Sequence, residues 1–542
     1  MNQPPARTAA GGMAQAAAVA EAGWAPLTEA QEGLWYAQRL DPANPIFNPA
    51  HRTTLRGPLD VPRLEQAVNQ ALAEAEALAL RFEDRPGGPA QRIDPSRAPR
   101  LDIRDLRHLP ETQAHEQADD WIRTDLRRPV DPVRDPLSRQ ILFLCGPALA
   151  LWYQRVHHLA ADGYGMALIE GRAIRLYRAL GESAADREPP LAPLAPVWDE
   201  DRAWRADPKR TQAREFWLAQ CAGQVPAASL AAGSALSAHK CLRMELDAPA
   251  TLIQSLRAME TATEVGWPDI LTALGAAYVA RHLGPSECVT GVPTMGRLGS
   301  KSARAVTTVM NVLPWAWTPD EDAPLADMLR DAARSLRGIR RHGRYRAEHL
   351  RRDLALPGGL PRLHGPILNV LPFDAPYEAA GLDASQAVLR TGPVEDLTLS
   401  FRAAPDGRGL RLEIEANPAL YSPGQAQAHL LRLKAFLAAA LAAPRLADVP
   451  TLTADEHKRW ALAPNRTEHP VPAGTLWSRI HDRLRAEPGH VGLEDDAGAW
   501  TYAEIDAWTA RATRRLRALG AGPGALAAVA LPRSARRVLC ML

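Results

Sequence analysis

Apolar residues at Leu64, Val68, Leu72 and Ala75 recur every three or four positions, so the Arg63–Leu80 stretch predicts a helix with one buried face. The following ALALRF (77–82) predicts a strand, closed by Pro86-Gly87-Gly88. Two apolar runs, Gln140–Cys145 and Leu149–His158, flank Gly146-Pro147 and predict a β-hairpin. After Gly163 helical spacing returns at Met166, Ile169, Ala173, Leu176, Tyr177 and Leu180. The unit His157–Leu180 is therefore predicted as strand end, tight turn and helix. Farther on, VMNVLPW (309–315) and ILNVLPF (367–373) are near copies. They predict two buried strands that each end at a Pro turn, or two segments with related roles.

Punctuation divides these elements. Folded character begins near Trp24, and the Ala- and Gly-rich residues 1–23 predict a disordered extension, in which Met13 is an alternative start. EPPLAPLAP (188–196) predicts an extended connector between two halves, taken as 24–190 and 191–455. A linker (456–475) precedes a third segment, 476–542. In it Gly492–Glu494, Trp500–Ile505, a helix Tyr502–Leu519 and a strand Ala525–Leu531 resemble the opening of another α/β domain, expected to be incomplete.

Composition narrows the class. A chain of 542 residues accommodates two to four domains, and 46% hydrophobic with 23% charged residues is ordinary for globular protein. The formal net charge of +2 implies no nucleic-acid partner. Five cysteines (145, 221, 241, 288 and 540) without a CxxC spacing argue against a disulfide framework or zinc knuckle, so reduced thiols and a cytoplasmic location are expected. No apolar run reaches the roughly 18 residues of a membrane span, and the N-terminus lacks the apolar core of a signal peptide. A monomer without a membrane partner is expected.

The segment WYQRVHHLAADGYG (152–165) carries the chemistry. It holds His157-His158-x-x-x-Asp162-Gly163 between a predicted strand and a helix, where loop side chains can face a cleft. A histidine titrates near neutrality and can serve as a general base. A carboxylate four residues on can fix the turn by pairing with a distant Arg, and Gly163 would permit tight backbone entry into the helix. The bland alternative is two buried histidines with Asp162 as an ordinary helix N-cap. A metal site is the weaker alternative, because neighbouring strand residues point to opposite faces.

HHLAADG resembles the central motif of condensation domains of nonribosomal peptide synthetases, and the likeness extends over about residues 24–455. Leu27-Thr28-Glu29-Ala30-Gln31 through Leu34-Trp35 resembles the family's opening motif, and Leu78–Phe82 its second, with Ala79 where the family has Arg. VMNVLP (309–314) and RHGRYRAE (341–348) resemble later motifs. GRLGS (296–300), LHGPILNV (363–370), TGPVEDLTL (391–399) and ALPRS (530–534) resemble serine-activating siderophore synthetases within the family. Trp500-Thr501-Tyr502-Ala503-Glu504-Ile505 resembles the first core motif of an adenylation domain, but no phosphate loop, carrier Ser motif or GxSxG accompanies it. Adenylation, with its ATP and Mg, is therefore not expected of this chain.

The resemblance implies a mixed α/β fold: two chloramphenicol-acetyltransferase-like sandwiches in a V with a central tunnel. It implies an amide-forming acyltransferase that binds no cofactor of its own. Two carrier proteins would insert 4'-phosphopantetheine arms, one bearing an aryl donor such as 2,3-dihydroxybenzoyl, the other an aminoacyl acceptor such as serine. His158 would meet the acceptor amine, as base or by positioning it. Asp162 would pair with an Arg, with Arg81 the candidate. His157 would pack away from the substrate, Gly163 would give the donor arm room, and Asn311 is a candidate tunnel group or a plain hydrogen-bonding residue. Two competing functions are a CoA-dependent HxxxD acyltransferase, whose DFGWG motif is missing here, and a non-catalytic carrier-docking remnant.

Overall fold

The computed structural model describes residues 23–182, 189–222, 228–231, 233–284, 288–356, 362–372, 381–404 and 409–542. The expected extension up to residue 22, Glu188 of the connector and Phe373 lie outside the described residues. The chain divides into two compact units, Met1–Glu456 and His457–Leu542.

In chain order the earlier strands are β1 (Ala25–Pro26), β2 (Ala50–Arg56), β3 (Leu80–Arg85), β4 (Gly88–Ile93), β5 (Asp102–Asp105), β6 (Ser138–Gly146) and β7 (Leu149–Val156). The later ones are β8 (Leu242–Asp247), β9 (Val289–Thr294), β10 (Asn311–Ala316), β11 (Ile367–Leu371), β12 (Asp383–Arg390), β13 (Leu397–Ala403) and β14 (Leu410–Ala416). They form a small sheet β1-β4-β3, a five-stranded sheet β12-β2-β7-β6-β5 and a six-stranded sheet β10-β9-β11-β13-β14-β8. Both larger sheets mix parallel and antiparallel pairs.

The expected hairpin forms as β6 and β7, and almost every residue of both is buried. Period two explains why, since successive side chains point to opposite faces. Leu151 and Tyr153 face a core shared with Ala114, Ala118 and Ile122. Ala150, Trp152 and Val156 face the larger core that contains Met166, Ile169 and Ala173. A strand buried on both faces reads as a continuous apolar run. The helix after the motif spans Gly163–Gly181.

Other boundaries differ from expectation. The helix expected over Arg63–Leu80 is Val61–Glu74, opened by the Asp60 carboxylate accepting from the Arg63 N–H and by Pro62 in its first turn. It stops short of Leu80 because Ala75, Ala77, Leu78, Ala79 and Leu80 are all buried, so no helical stripe persists. Residues 76–79 form a 3₁₀ turn and the strand begins only at Leu80. Pro314 does not end its strand but sits inside β10, tolerated because β10 is a sheet edge. The connector turns helical at Ala195.

One crossing positions the site. β12 arises late in the chain yet pairs along β2, with Val388 opposite His51 and Gln386 opposite Thr53. Its end delivers Arg390, Thr391 and Gly392 to the loop that follows β7.

In the second unit, Val491–Asp495 pairs with Gly498–Thr501, and the helix Tyr502–Ala518 starts at a capping box of Thr501 and Glu504. Its core holds Leu484, Ile505 and Leu539. The strand expected at Ala525–Leu531 is absent: these residues pair with no neighbour and Leu526, Val529 and Leu531 are exposed. An apolar run becomes a strand only where a sheet receives it. Among the described residues no helix is long and apolar enough to cross a membrane.

Candidate active site

The histidine pair lies just beyond β7, in a loop pinned by its own backbone. The N–H of His157 donates to Leu137 O at 2.7 Å, and that of His158 to Phe47 O at 2.8 Å. The N–H of Ala160 closes the turn onto His157 O at 2.8 Å.

His157 is wholly buried. Its Nδ1 accepts from the Leu159 N–H at 3.1 Å, so the proton sits on Nε2, which faces Gln38 Oε1 at 3.3 Å. Burial first, then neighbouring His158 and Arg155, push its pKa down to about 3. This neutral ring is a brace for the loop.

His158 faces the other way, into a cavity of about 210 Å³. The same cavity is lined by Gly163, Met310, Val388 and Arg390, among others. The Nε2 of His158 lies 3.0 Å from Thr391 O. Burial lowers the pKa of His158, while the Thr391 carbonyl, the Asp162 charge and the Ala161 backbone pull it partly back up. The ring is neutral at pH 7 and able to take up a proton. Thr391 is itself held, since its hydroxyl donates to Glu415 Oε2 at 2.6 Å.

Asp162 both caps the helix and bears an ion pair, so the structural and functional alternatives weighed for it coexist. Its Oδ1 accepts from the Gly165 N–H at 2.9 Å and from Arg297 Nη2 at 2.8 Å. Its Oδ2 accepts from the N–H groups of Val309 at 3.2 Å and Met310 at 3.3 Å. Arg297 is buried, donates further to the carbonyls of Ala305 at 3.0 Å and Thr307 at 2.8 Å, and stacks 4.8 Å over the Tyr164 ring. The pair ties the motif loop to the segment that leads into β10.

Arg81 is therefore not the partner of Asp162. It is exposed on β3, opposite Arg92. Asn311 is not a cavity group either. Its Nδ2 donates to Gly343 O at 3.0 Å and Tyr345 O at 2.8 Å, and its Oδ1 accepts from the Ala347 N–H at 3.2 Å. These three bonds staple β10 to the 343–347 turn. Gly163 is the first helical residue and its φ lies outside the left-handed region, so helix entry does not require a glycine. A Cβ there would meet nothing within 4 Å, which leaves open space beside His158.

Arg297, Thr391 and Gly392 carry no site role on sequence grounds, although Thr391 and Gly392 open the TGPVEDLTL segment. Arg297 does fall in the GRLGS segment, whose Gly296 and Gly299 have φ of +62° and +72° and mark tight turns. Nothing local singles out that Arg as partner to a carboxylate 135 residues away. Among the described residues no three His, Cys, Asp or Glu side chains gather as a metal site.

Comparison with known proteins agrees with this geometry. A family model described as Condensation domain matches residues 21–460. The chain is 34% identical over 520 residues to a dimodular nonribosomal peptide synthase of Bacillus subtilis (strain 168), covering 95% of this chain and 22% of that protein. It is 32% identical over 521 residues to enterobactin synthase component F of Escherichia coli O157:H7, covering 94% and 39%. Among solved structures, a variant of the starter condensation domain of rhizomide synthetase, in complex with C8-CoA and Leu-SNAC, aligns with a TM-score of 0.73 at 32% identity, covering 80% of this chain and 99% of that one. The chain spans about a fifth to two fifths of the length of these two curated relatives. By motif, fold and match over most of its length, this chain belongs to the condensation-domain family of nonribosomal peptide synthetases, whose members are amide-forming acyltransferases that work on carrier-bound substrates.

Proposed function

We propose that this chain joins a carrier-bound aryl donor, of the 2,3-dihydroxybenzoyl kind, to a carrier-bound aminoacyl acceptor, serine, in siderophore assembly. The observation that carries the proposal is a neutral His158 on the wall of the cavity, held by a loop that Asp162 and Arg297 lock in place. In the reaction the acceptor amine attacks the donor thioester carbonyl. A C–N bond forms, the C–S bond breaks, and the donor's phosphopantetheine thiolate leaves. The amine proton passes to His158 and from there to the thiolate. His158 would also orient the amine, with the ring itself held by its Nε2–H donating to Thr391 O. Positioning of this kind accounts for much of the rate in acyl transfer, and general-base help contributes about 10²–10⁴-fold.

Gly163 would leave room for the donor arm, and His157, Asp162 and Arg297 would act through His158. The donor and acceptor identities rest on the likeness to serine-activating siderophore synthetases. Enterobactin synthase component F and vanchrobactin synthetase are among the relatives and support a siderophore context. The segment 476–542 is proposed as an adenylation-domain start on its WTYAEI motif.

Intact-mass detection of product on the acceptor carrier tests this proposal. An aryl carrier loaded with 2,3-dihydroxybenzoate and a seryl-loaded carrier are supplied in trans. Product that vanishes with His158→Ala supports the proposal. A folded chain that makes none, with this donor or with a panel of others, is a docking remnant instead.

A further inference from the structure

A row of polar side chains crosses the inner face of the five-stranded sheet and ends in the cavity. The register makes it. His51 on β2 lies opposite Gln154 on β7, which lies opposite Gln140 on β6. Residues directly opposite share a face, and the same face carries the apolar Leu55, Leu142, Trp152 and Val156 of the core. Glu170 meets the row from the Gly163–Gly181 helix, where its neighbours Met166, Ile169 and Ala173 are apolar and buried.

The row is closely bonded at its inner end. Trp152 Nε1 donates to Gln140 Oε1 at 3.1 Å, and Gln140 Nε2 donates to Ser138 Oγ at 2.9 Å. Gln154 Nε2 donates to Glu170 Oε1 at 3.0 Å. At the outer end, Glu170 accepts from Gln386 Nε2 and stands 3.4 Å from His51 Nδ1. Gln386 and His51 lie side by side at 3.3 Å, and both line the cavity that His158 lines. Among the described residues, Nδ1 is the only ring nitrogen of His51 with a hydrogen-bond partner.

Burying a carboxylate, an imidazole and three amides is costly, and an apolar face of the same volume is often as stable. A cavity built for a plain alkyl chain gains nothing from such a wall. A cavity that orients hydroxyl groups does, because a carboxylate behind an imidazole and an amide fixes where each can donate or accept. Two polar groups side by side suit two neighbouring ring hydroxyls better than the single hydroxyl of serine.

We infer that His51 and Gln386, backed by Glu170, are specificity-determining residues that read the ring hydroxyls of the aryl donor. This inference rests on the aryl-donor reading above. The test uses the full chain, a fixed seryl carrier, and an aryl carrier loaded with either 2,3-dihydroxybenzoate or benzoate. The readout is the ratio of the two kcat/KM values.

His51→Leu is expected to lower the ratio by about tenfold, the worth of one lost hydrogen bond to a buried partner. Gln386→Leu, at a half-buried position, should act in the same direction, and His51→Gln should restore part of the ratio. A ratio within about twofold of wild type in the folded variants, whatever happens to the absolute rate, overturns the assignment alone. A wild-type chain that turns over neither donor overturns the aryl-donor reading, and this inference with it.

Discussion

A Cβ placed on Gly392 would lie 2.5 Å from Nε2 of His158, so the backbone after β12 touches the imidazole with no room for a side chain. The φ of Gly392, +141°, adds strain for any other residue. Gly392→Ala should therefore displace the imidazole or the Thr391 carbonyl beside it. Condensation kcat is expected to fall by about 10²-fold, the scale of an ångström of misplacement at a reacting centre. A variant with wild-type kcat in single-turnover assays would show that this contact does not position His158.

The Asp162–Arg297 pair predicts a contrast between two arginines. Arg297→Ala leaves a buried carboxylate without its counter-charge, which typically costs about 3–5 kcal/mol. Arg81→Ala changes an exposed side chain and should stay within about 0.5 kcal/mol of wild type. Urea midpoints of the two variants measure the difference. Equal midpoints would return Arg81 to consideration as the partner.

Gly163 offers the opposite case to Gly392. A Cβ there meets no atom within 4 Å, so Gly163→Leu should fold as wild type and melt at nearly the same temperature. Its side chain would occupy the cavity beside His158, and condensation should be lost or its KM for the donor carrier raised. Unaltered kinetics would exclude Gly163 from the donor path.

Asn311→Ala should weaken the fold and spare the chemistry. It removes three hydrogen bonds, to Gly343, Tyr345 and Ala347, and a loss of about 1–3 kcal/mol is expected. KM for either carrier should be unchanged in the folded variant. A selective rise in one KM would give Asn311 the substrate role that its geometry denies it.

Acid should expose the buried histidines. His157 is held down to about 3, against 6.5 for an ordinary histidine, so below pH 6.5 the unfolded chain binds a proton that the folded chain refuses. Its contribution to stability is present above pH 6.5 and is lost as pH falls toward 3, at about 1.4 kcal/mol per pH unit. His158 is shifted in the same direction, so kcat/KM should hold its plateau as pH drops through 6.5 and decline only below it. His157→Gln should flatten the stability slope by about one proton. An activity profile half-lost at pH 6.5 would show that His158 keeps an ordinary pKa.

Local pattern was enough for the hairpin β6–β7, the Gly163–Gly181 helix and the loop between them, because alternation and helical spacing act within one element. It was enough to single out His157, His158, Asp162 and Gly163, since seven consecutive positions carry the motif. It failed at Ala525–Leu531, where no sheet receives an apolar run, and at Pro314, where an edge position makes a proline harmless.

The amino-acid sequence by itself determined the family, the histidine motif and the elements that flank it. Tertiary structure alone decided the partners: Arg297 and not Arg81 for Asp162, Thr391 and Gly392 against His158, and the row that joins His51 to Glu170 and Gln386. The Asp162–Arg297, His158–Thr391 and Glu170–Gln386 contacts span 135, 233 and 216 residues of chain. They depend on sheet register and on a strand that crosses from one sheet to pair in another. Register is set by the packing of whole faces, and no local pattern of side chains encodes which distant residue will stand opposite.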